Sequence, residues 1–168
     1  MPKVHYVAKA RKADKKAGIK KGDSYYWWSK RPGGRGRGYK VKSKTRPRAS
    51  QLTSSEYLST VFAANEAVED AGDDPAALIE ALQEAESCLD SLKDETEEKL
   101  SNVEEAFPNG CPVAEQLQER IDALEQLIGE IQDAINTIEA IDEDEDEEDR
   151  RSEALTAAEG VDFSAAAI

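Results

Sequence analysis

The chain has 168 residues, 35% of them charged, with a formal net charge of −14. Aromatic residues make up only 6%, too few for a large globular core, and no run of about 18 apolar residues offers a membrane-spanning helix. The net charge conceals a division. Residues 1–50 hold 17 Lys and Arg against two acids, Asp14 and Asp23, a balance of +15. Residues 51–168 hold five cations and 34 acids, a balance of −29. Such asymmetry points to contact with nucleic acid or another anionic surface at one end, and to a repelling or mimicking surface at the other.

In chain order, MPKVHYVAKARK carries cations but no apolar h-region, so it does not read as a secretory signal. Within it Lys3–Val7 alternates like a strand. Arg11 to Lys16 reads as a helical turn or loop, and Gly18 to Asp23 as a turn. Ser24–Ser29 (SYYWWS) is rich in β-formers. The Gly-rich stretch 33–38 (GGRGRG) follows, then Tyr39–Lys42, which alternates again. Strand, Gly-rich loop and strand predict a β-hairpin with a long loop. Pro47 ends this segment.

Thr53-Ser54-Ser55-Glu56 matches a capping box and opens a helix over about 53–71. Tyr57, Leu58, Val61, Phe62 and Val68 fall near one face of it. Gly72 stops that helix, and Asp74 with Pro75 starts a second, over about 75–106. Phe107 to Pro112 (FPNGCP) is a breaker, and a third helix runs over about 112–141. In the third, Ala114, Leu117, Ile121, Leu124, Ile128, Ile131, Ile135 and Ile138 alternate spacings of three and four, an unbroken heptad seam. The second carries a matching seam at Leu82, Ala85, Leu89, Leu92, Thr96, Lys99 and Val103. A chain folded at Gly110 sets residue i opposite residue 220 − i, so that Leu82 meets Ile138 and Leu89 meets Ile131. Lys99 would have to snorkel off the seam, leaving Leu100 to take its place. Each helix is then about 45 Å long. Cys88 and Cys111 lie about 30 Å apart along it, so no disulfide is expected, and a reducing compartment fits.

The acidic run 142–149 should self-repel and fray the end of the third helix. The Ala-rich residues 150–168 read as a loose tail that orders on a partner. The fold class expected is therefore mainly α: a long antiparallel coiled-coil hairpin with a shorter helix before it, a small basic head with a β-hairpin (1–50), a helical region (51–141) and a disordered acidic tail (142–168).

Little in the sequence offers catalysis. His5 stands alone near the N-terminus with no positioned partner, the reading of a surface residue. No His/Cys cluster has zinc-ligand spacing, the glycines lack the P-loop pattern, and the acidic run lacks the glycine of an EF-hand. A non-enzymatic protein without cofactor or metal is expected. The candidate nucleic-acid-binding residues lie in the head: Tyr25, Trp27, Trp28 and Tyr39 among Lys20, Lys21, Lys30, Arg31, Arg35, Arg37, Lys40, Lys42, Arg46 and Arg48. Cations neutralise phosphates and release counterions, and open aromatic faces stack on bases. Strand alternation commits one face of the Tyr25–Trp28 run to a small core and leaves the other outward.

The stretches Gly18–Trp28 (GIKKGDSYYWW), Arg46–Ser55 (RPRASQLTSS) and Glu115–Glu125 (EQLQERIDALE) resemble small uncharacterised proteins of tailed bacteriophages. That family carries no established activity. The resemblance implies only a setting, a phage product in the bacterial host cytoplasm. The head is also similar, more weakly, to small β-sheet DNA-binding arms of phage recombinases, from which the Gly-Arg insertion departs.

Three functions fit these features. One is nucleic-acid binding, independent of base sequence, with the hairpin as spacer or homo-oligomerisation element. A second is a protein-binding module whose acidic rod mimics DNA toward a host protein. The third is a structural or assembly protein.

Overall fold

The computed structural model describes residues 2–30, 38–141 and 146–168. Arg31, Arg35 and Arg37 with the rest of the Gly-rich stretch up to residue 37, and the first half of the acidic run, residues 142–145, lie outside the described residues. The chain divides into two compact units, Met1–Ser59 and Thr60–Ile168.

In the smaller unit, alternating and β-branched or aromatic residues form three short strands: β1 (His5–Val7), β2 (Tyr25–Lys30) and β3 (Tyr39–Ser43). They make one antiparallel sheet in the order β1-β2-β3. His5 pairs with Trp27 and Tyr6 with Tyr26 on one side, while Trp27 pairs with Lys42 and Trp28 with Val41 on the other. The expected hairpin is thus two-thirds of a three-stranded sheet. Between β1 and β2 the chain does not simply turn. Asp14 and Ile19 exchange both backbone hydrogen bonds (2.8 and 2.9 Å), and Ala10 is tied to Gly22 and Asp23 (2.9 and 2.8 Å). Gly18, at φ +65°, supplies the left-handed residue that this tight return needs. Ile19 and Ala10 are buried as a result. A short helix α1 (Ala49–Leu52) leads to α2 (Glu56–Asp70). The cap of α2 is Ser55, two residues beyond the expected Thr53. The Ser55 carbonyl accepts from Ser59 N–H (3.0 Å) and its hydroxyl from Leu58 N–H (3.4 Å).

In the larger unit, α3 spans Pro75–Ala106 and α4 spans Pro112–Glu139. Asp74 Oδ2 caps α3 by accepting from Ala77 N–H at 3.1 Å. Gly110 takes φ +82° between the helices, where a side chain would be strained. The two helices run antiparallel and bury Leu82, Ala85, Leu89, Leu92 and Thr96 of α3 with Ile121, Leu124, Ile128, Ile131, Ile135 and Ile138 of α4. Each fully buried leucine or isoleucine contributes roughly 1.5–3 kcal/mol. The Thr96 hydroxyl donates back to the Leu92 carbonyl at 2.7 Å, which settles the one polar group in this row. Lys99 is exposed and pairs with Glu95, and Leu100 is buried in its stead. A straight helix drifts against a strict heptad, which is enough to bring the next residue round. Two polar contacts cross between the helices: Gln132 Nε2 donates to Glu86 Oε1 (2.6 Å), and Lys93 Nζ lies 3.8 Å from Glu125 Oε1. With a fold at Gly110, Glu86 is level with residue 134 and Lys93 with residue 127. Both contacts are offset by the same two positions, as one unbroken register requires.

The described part of the tail, residues 146–168, is folded rather than loose. Residues Glu147–Glu159 form α5, which packs on both α3 and α4. Ala154, Ala158, Val161, Phe163 and Ala166 are buried. Asp162 N–H donates to Glu130 Oε2 at 3.1 Å, so the chain returns along α4. The physical reason lies in the acids. Those of 146–149 that were expected to fray the C-terminus of α4 stand instead at the N-terminus of α5, where the helix dipole favours them. Asp146 caps α5 by accepting from Glu148 N–H at 3.1 Å. Small alanines let α5 approach closely without an obvious apolar stripe. Towards the turn, Val103, Ala114 and Leu117 are only half-buried.

Replacing Leu89, which is fully buried, with Ala should cost about 2–5 kcal/mol, read as a lowered urea midpoint. Phe163→Ala should cost a comparable amount, on the order of 3 kcal/mol. A loose tail would leave the midpoint unmoved.

Candidate nucleic-acid interface

Alternation along β2 sends Tyr25, Trp27 and Ser29 to one face of the sheet and Tyr26, Trp28 and Lys30 to the other. The register places His5 and Val7 of β1, with Lys40 and Lys42 of β3, on the Tyr25–Trp27 face. Trp28 is only 3% exposed and belongs to the core of the unit; its Nε1 is buried and unpartnered. Trp27 is half-buried. The His5 ring stacks on it with centroids 4.1 Å apart and planes within 8°. Lys40 Nζ sits 4.4 Å from its ring centroid, a cation–π contact.

Two depressions lie along this face. One, of about 410 Å³, is lined by Val7, Lys9, Arg11, Lys12, Asp14, Ile19, Tyr25 and Lys42. The other, of about 420 Å³, is lined by Pro2, Lys3, His5, Trp27, Ser29, Lys30, Leu52 and Ser54. Two carboxylates organise the basic segment. Asp14 Oδ2 accepts from Lys42 Nζ at 2.7 Å, and its Oδ1 accepts from the N–H groups of Lys16 (3.2 Å) and Ala17 (3.4 Å). Asp23 Oδ2 accepts from Lys20 N–H at 3.0 Å and lies 2.9 Å from Lys44 Nζ. The Lys42 ammonium, then the Ala17 N–H, hold the Asp14 carboxyl below the usual carboxylate range. The Lys20 N–H, then Lys44, do the same for Asp23. The Asp14 carboxylate in turn raises Lys42.

Of the residues expected to bind nucleic acid, the structure brings Tyr25, Trp27, Lys40 and Lys42 together on one face. Lys30 lines the second depression from the end of β2. Trp28 is in the core. Tyr39 is 53% exposed and falls on the opposite face. Lys20 and Lys21 are exposed on the turn before β2, and Arg46 is exposed after β3. Arg48 flanks α1, its N–H donating to Gln51 Oε1 at 3.2 Å. Sequence reasoning passed over Lys9, Arg11 and Lys12, which lie away from the aromatic run. It also read His5 as an isolated surface residue, whereas the ring is half-buried on Trp27. The Lys3–Val7 alternation was the available signal, since a strand there needs a partner and β2 is the adjacent one.

Among the described residues no group of three or more His, Cys, Asp or Glu is placed to hold a metal ion. No described helix is long and apolar enough to cross a membrane. Both cysteines are free thiols. Comparison with family models, curated proteins and solved structures gives no match for this chain.

The two aspartates set a pH dependence. Their folded-state values are depressed, so their contribution is present above the unfolded value of about 4 and is lost as pH falls through the lowered folded values. Lys42 is raised, so its share persists below about pH 10 and is lost at higher pH. Tryptophan emission of the whole chain should report an acid transition below about pH 4, and Asp14→Asn should shrink it. An acid profile unchanged by Asp14→Asn would remove the tie between this loop and β3.

Proposed function

We propose that this is a non-enzymatic nucleic-acid-binding protein that grips phosphates with its basic head, independently of base sequence. In this reading the antiparallel helices serve as a coiled-coil spacer or homo-oligomerisation element, and the protein acts as a tailed-phage accessory factor in the host cytoplasm. One observation carries the reading: Lys9, Arg11, Lys12, Lys40 and Lys42, drawn from a loop and from β3, converge on the Tyr25–Trp27 face. Cations gathered on a concave, half-apolar surface form the electrostatic footprint of a phosphate-binding site. Asp14 compensates Lys42, so Lys9, Arg11, Lys12 and Lys40 supply most of the attraction.

The helical unit supports the same reading from the other side. Its surface is dominated by carboxylates, with only a few cations among them, some paired as Lys93–Glu125, Lys99–Glu95 and Arg151–Glu147. Such a surface repels phosphate and confines contact to the head.

Binding of the whole chain to a labelled oligonucleotide, followed by anisotropy, should weaken about a hundredfold between 50 and 200 mM salt, as about four neutralised phosphates require. Replacing Lys9, Arg11 and Lys12 together with Ala should reduce the slope of log affinity against log salt by about 2–3. Binding that ignores salt, or a triple variant that binds like the parent, defeats the proposal.

A further inference from the structure

Gripping phosphates and stacking on bases make different demands on the head, and its aromatic rings are already engaged. Trp28 is 3% exposed and offers no face to a ligand. One face of Trp27 is covered by His5 from β1 (4.1 Å, 8°), and the ammonium of Lys40 from β3 lies 4.4 Å from the ring centroid. β1 and β3 flank β2 on opposite sides, so the indole is engaged from both neighbouring strands. Tyr25 has the Lys42 ammonium 5.9 Å from its centroid.

The open rings are elsewhere. Tyr6 is 60% exposed and Tyr39 is 53% exposed. Tyr6 pairs with Tyr26, and Tyr39 with Lys30. Tyr26 and Lys30 share the Trp28 face, and neither open ring lines either of the two cationic depressions. A strand lying with its phosphates against Lys9, Arg11 and Lys12 therefore finds neither tryptophan free for its bases, and the half-buried Tyr25 already has Lys42 near its ring.

We infer that the head selects double-stranded nucleic acid, held by its backbone on the Tyr25–Trp27 face, and does not bind single strands by stacking. This rests on the nucleic-acid reading and names the form of ligand. A surface that works only through charge favours the polyanion of higher charge density. A duplex carries one phosphate charge per roughly 1.7 Å and releases about 0.9 counterion per contact, against about 0.7 for a single strand. Single-strand binders offset that deficit by stacking, which is worth roughly tenfold or more per base, and the engaged rings deny it here.

The test is direct competition on the whole chain at one salt concentration. The probes are a DNA duplex, an RNA duplex and an oligo-dT strand, all of equal length, with tryptophan emission followed at saturation. The expected result is duplex binding on the order of tenfold tighter than oligo-dT, with tryptophan emission retained. Tighter binding of DNA or of RNA duplex identifies which backbone geometry fits, and either supports the inference. Oligo-dT bound as tightly as duplex, or quenching tryptophan emission by half or more, overturns it while leaving the nucleic-acid reading intact. Failure of all three probes to bind removes that reading, and the inference falls with it.

Discussion

Burial of Trp28 in the middle strand is the contact on which the basic head depends. Apolar material there is scarce: Ala10, Ile19, Trp28 and Tyr57 are its buried hydrophobic residues. An aromatic side chain of this size supplies more burial than any other residue available to it. Strand alternation then fixes the rest. With Trp28 turned inward, Trp27 must turn to the opposite face, where it stays half-buried. It is accommodated there by a ring from one flanking strand and an ammonium from the other. A head with a larger core could leave Trp27 open for a ligand; this one uses it to hold β1, β2 and β3 together.

The same scarcity explains the two aspartates. A segment carrying Lys9, Arg11, Lys12, Lys15, Lys16, Lys20 and Lys21 repels itself unless something fixes it. Asp14 and Asp23 do so by accepting backbone N–H groups and lysine ammoniums together. They neutralise Lys42 of β3 and Lys44 just beyond it, and leave the loop cations outward. Charge is thus spent within the fold at the sheet and kept available at the loop.

What was legible in the sequence follows the range of the interactions involved. The helices at 75–106 and near 112–139 announce themselves through local signals: Asp74-Pro75, Gly110, and apolar spacings of three and four. The shift from Lys99 to Leu100 follows from helical geometry, while α4 ends at Glu139, short of the expected 141. α5 was not legible, because alanines at 154 and 158 and an acidic first turn look the same in a solvated tail as in a docked helix. What separates the two is the apolar surface of α3 and α4 waiting to be covered, a property of the assembled hairpin. In the head the strands could be read, since alternation is local. The His5–Trp27 stack and the Lys42–Asp14 pair could not, since they join residues 22 and 28 positions apart through a register no short motif encodes.

The acidic run illustrates how position decides the sign of an electrostatic effect. At the C-terminus of α4 the carboxylates would oppose the helix dipole; at the N-terminus of α5, Asp146, Glu147, Glu148 and Asp149 cap and stabilise. α4 ends at Glu139, before the run begins, and α5 starts where the acids can be used. Acids that add to the negative surface of the helical unit therefore also start the helix that packs on α3 and α4. Neutralising Asp146, Glu147, Glu148 and Asp149 would loosen the helical unit, so its negative charge is maintained by stability as well as by any demand of binding.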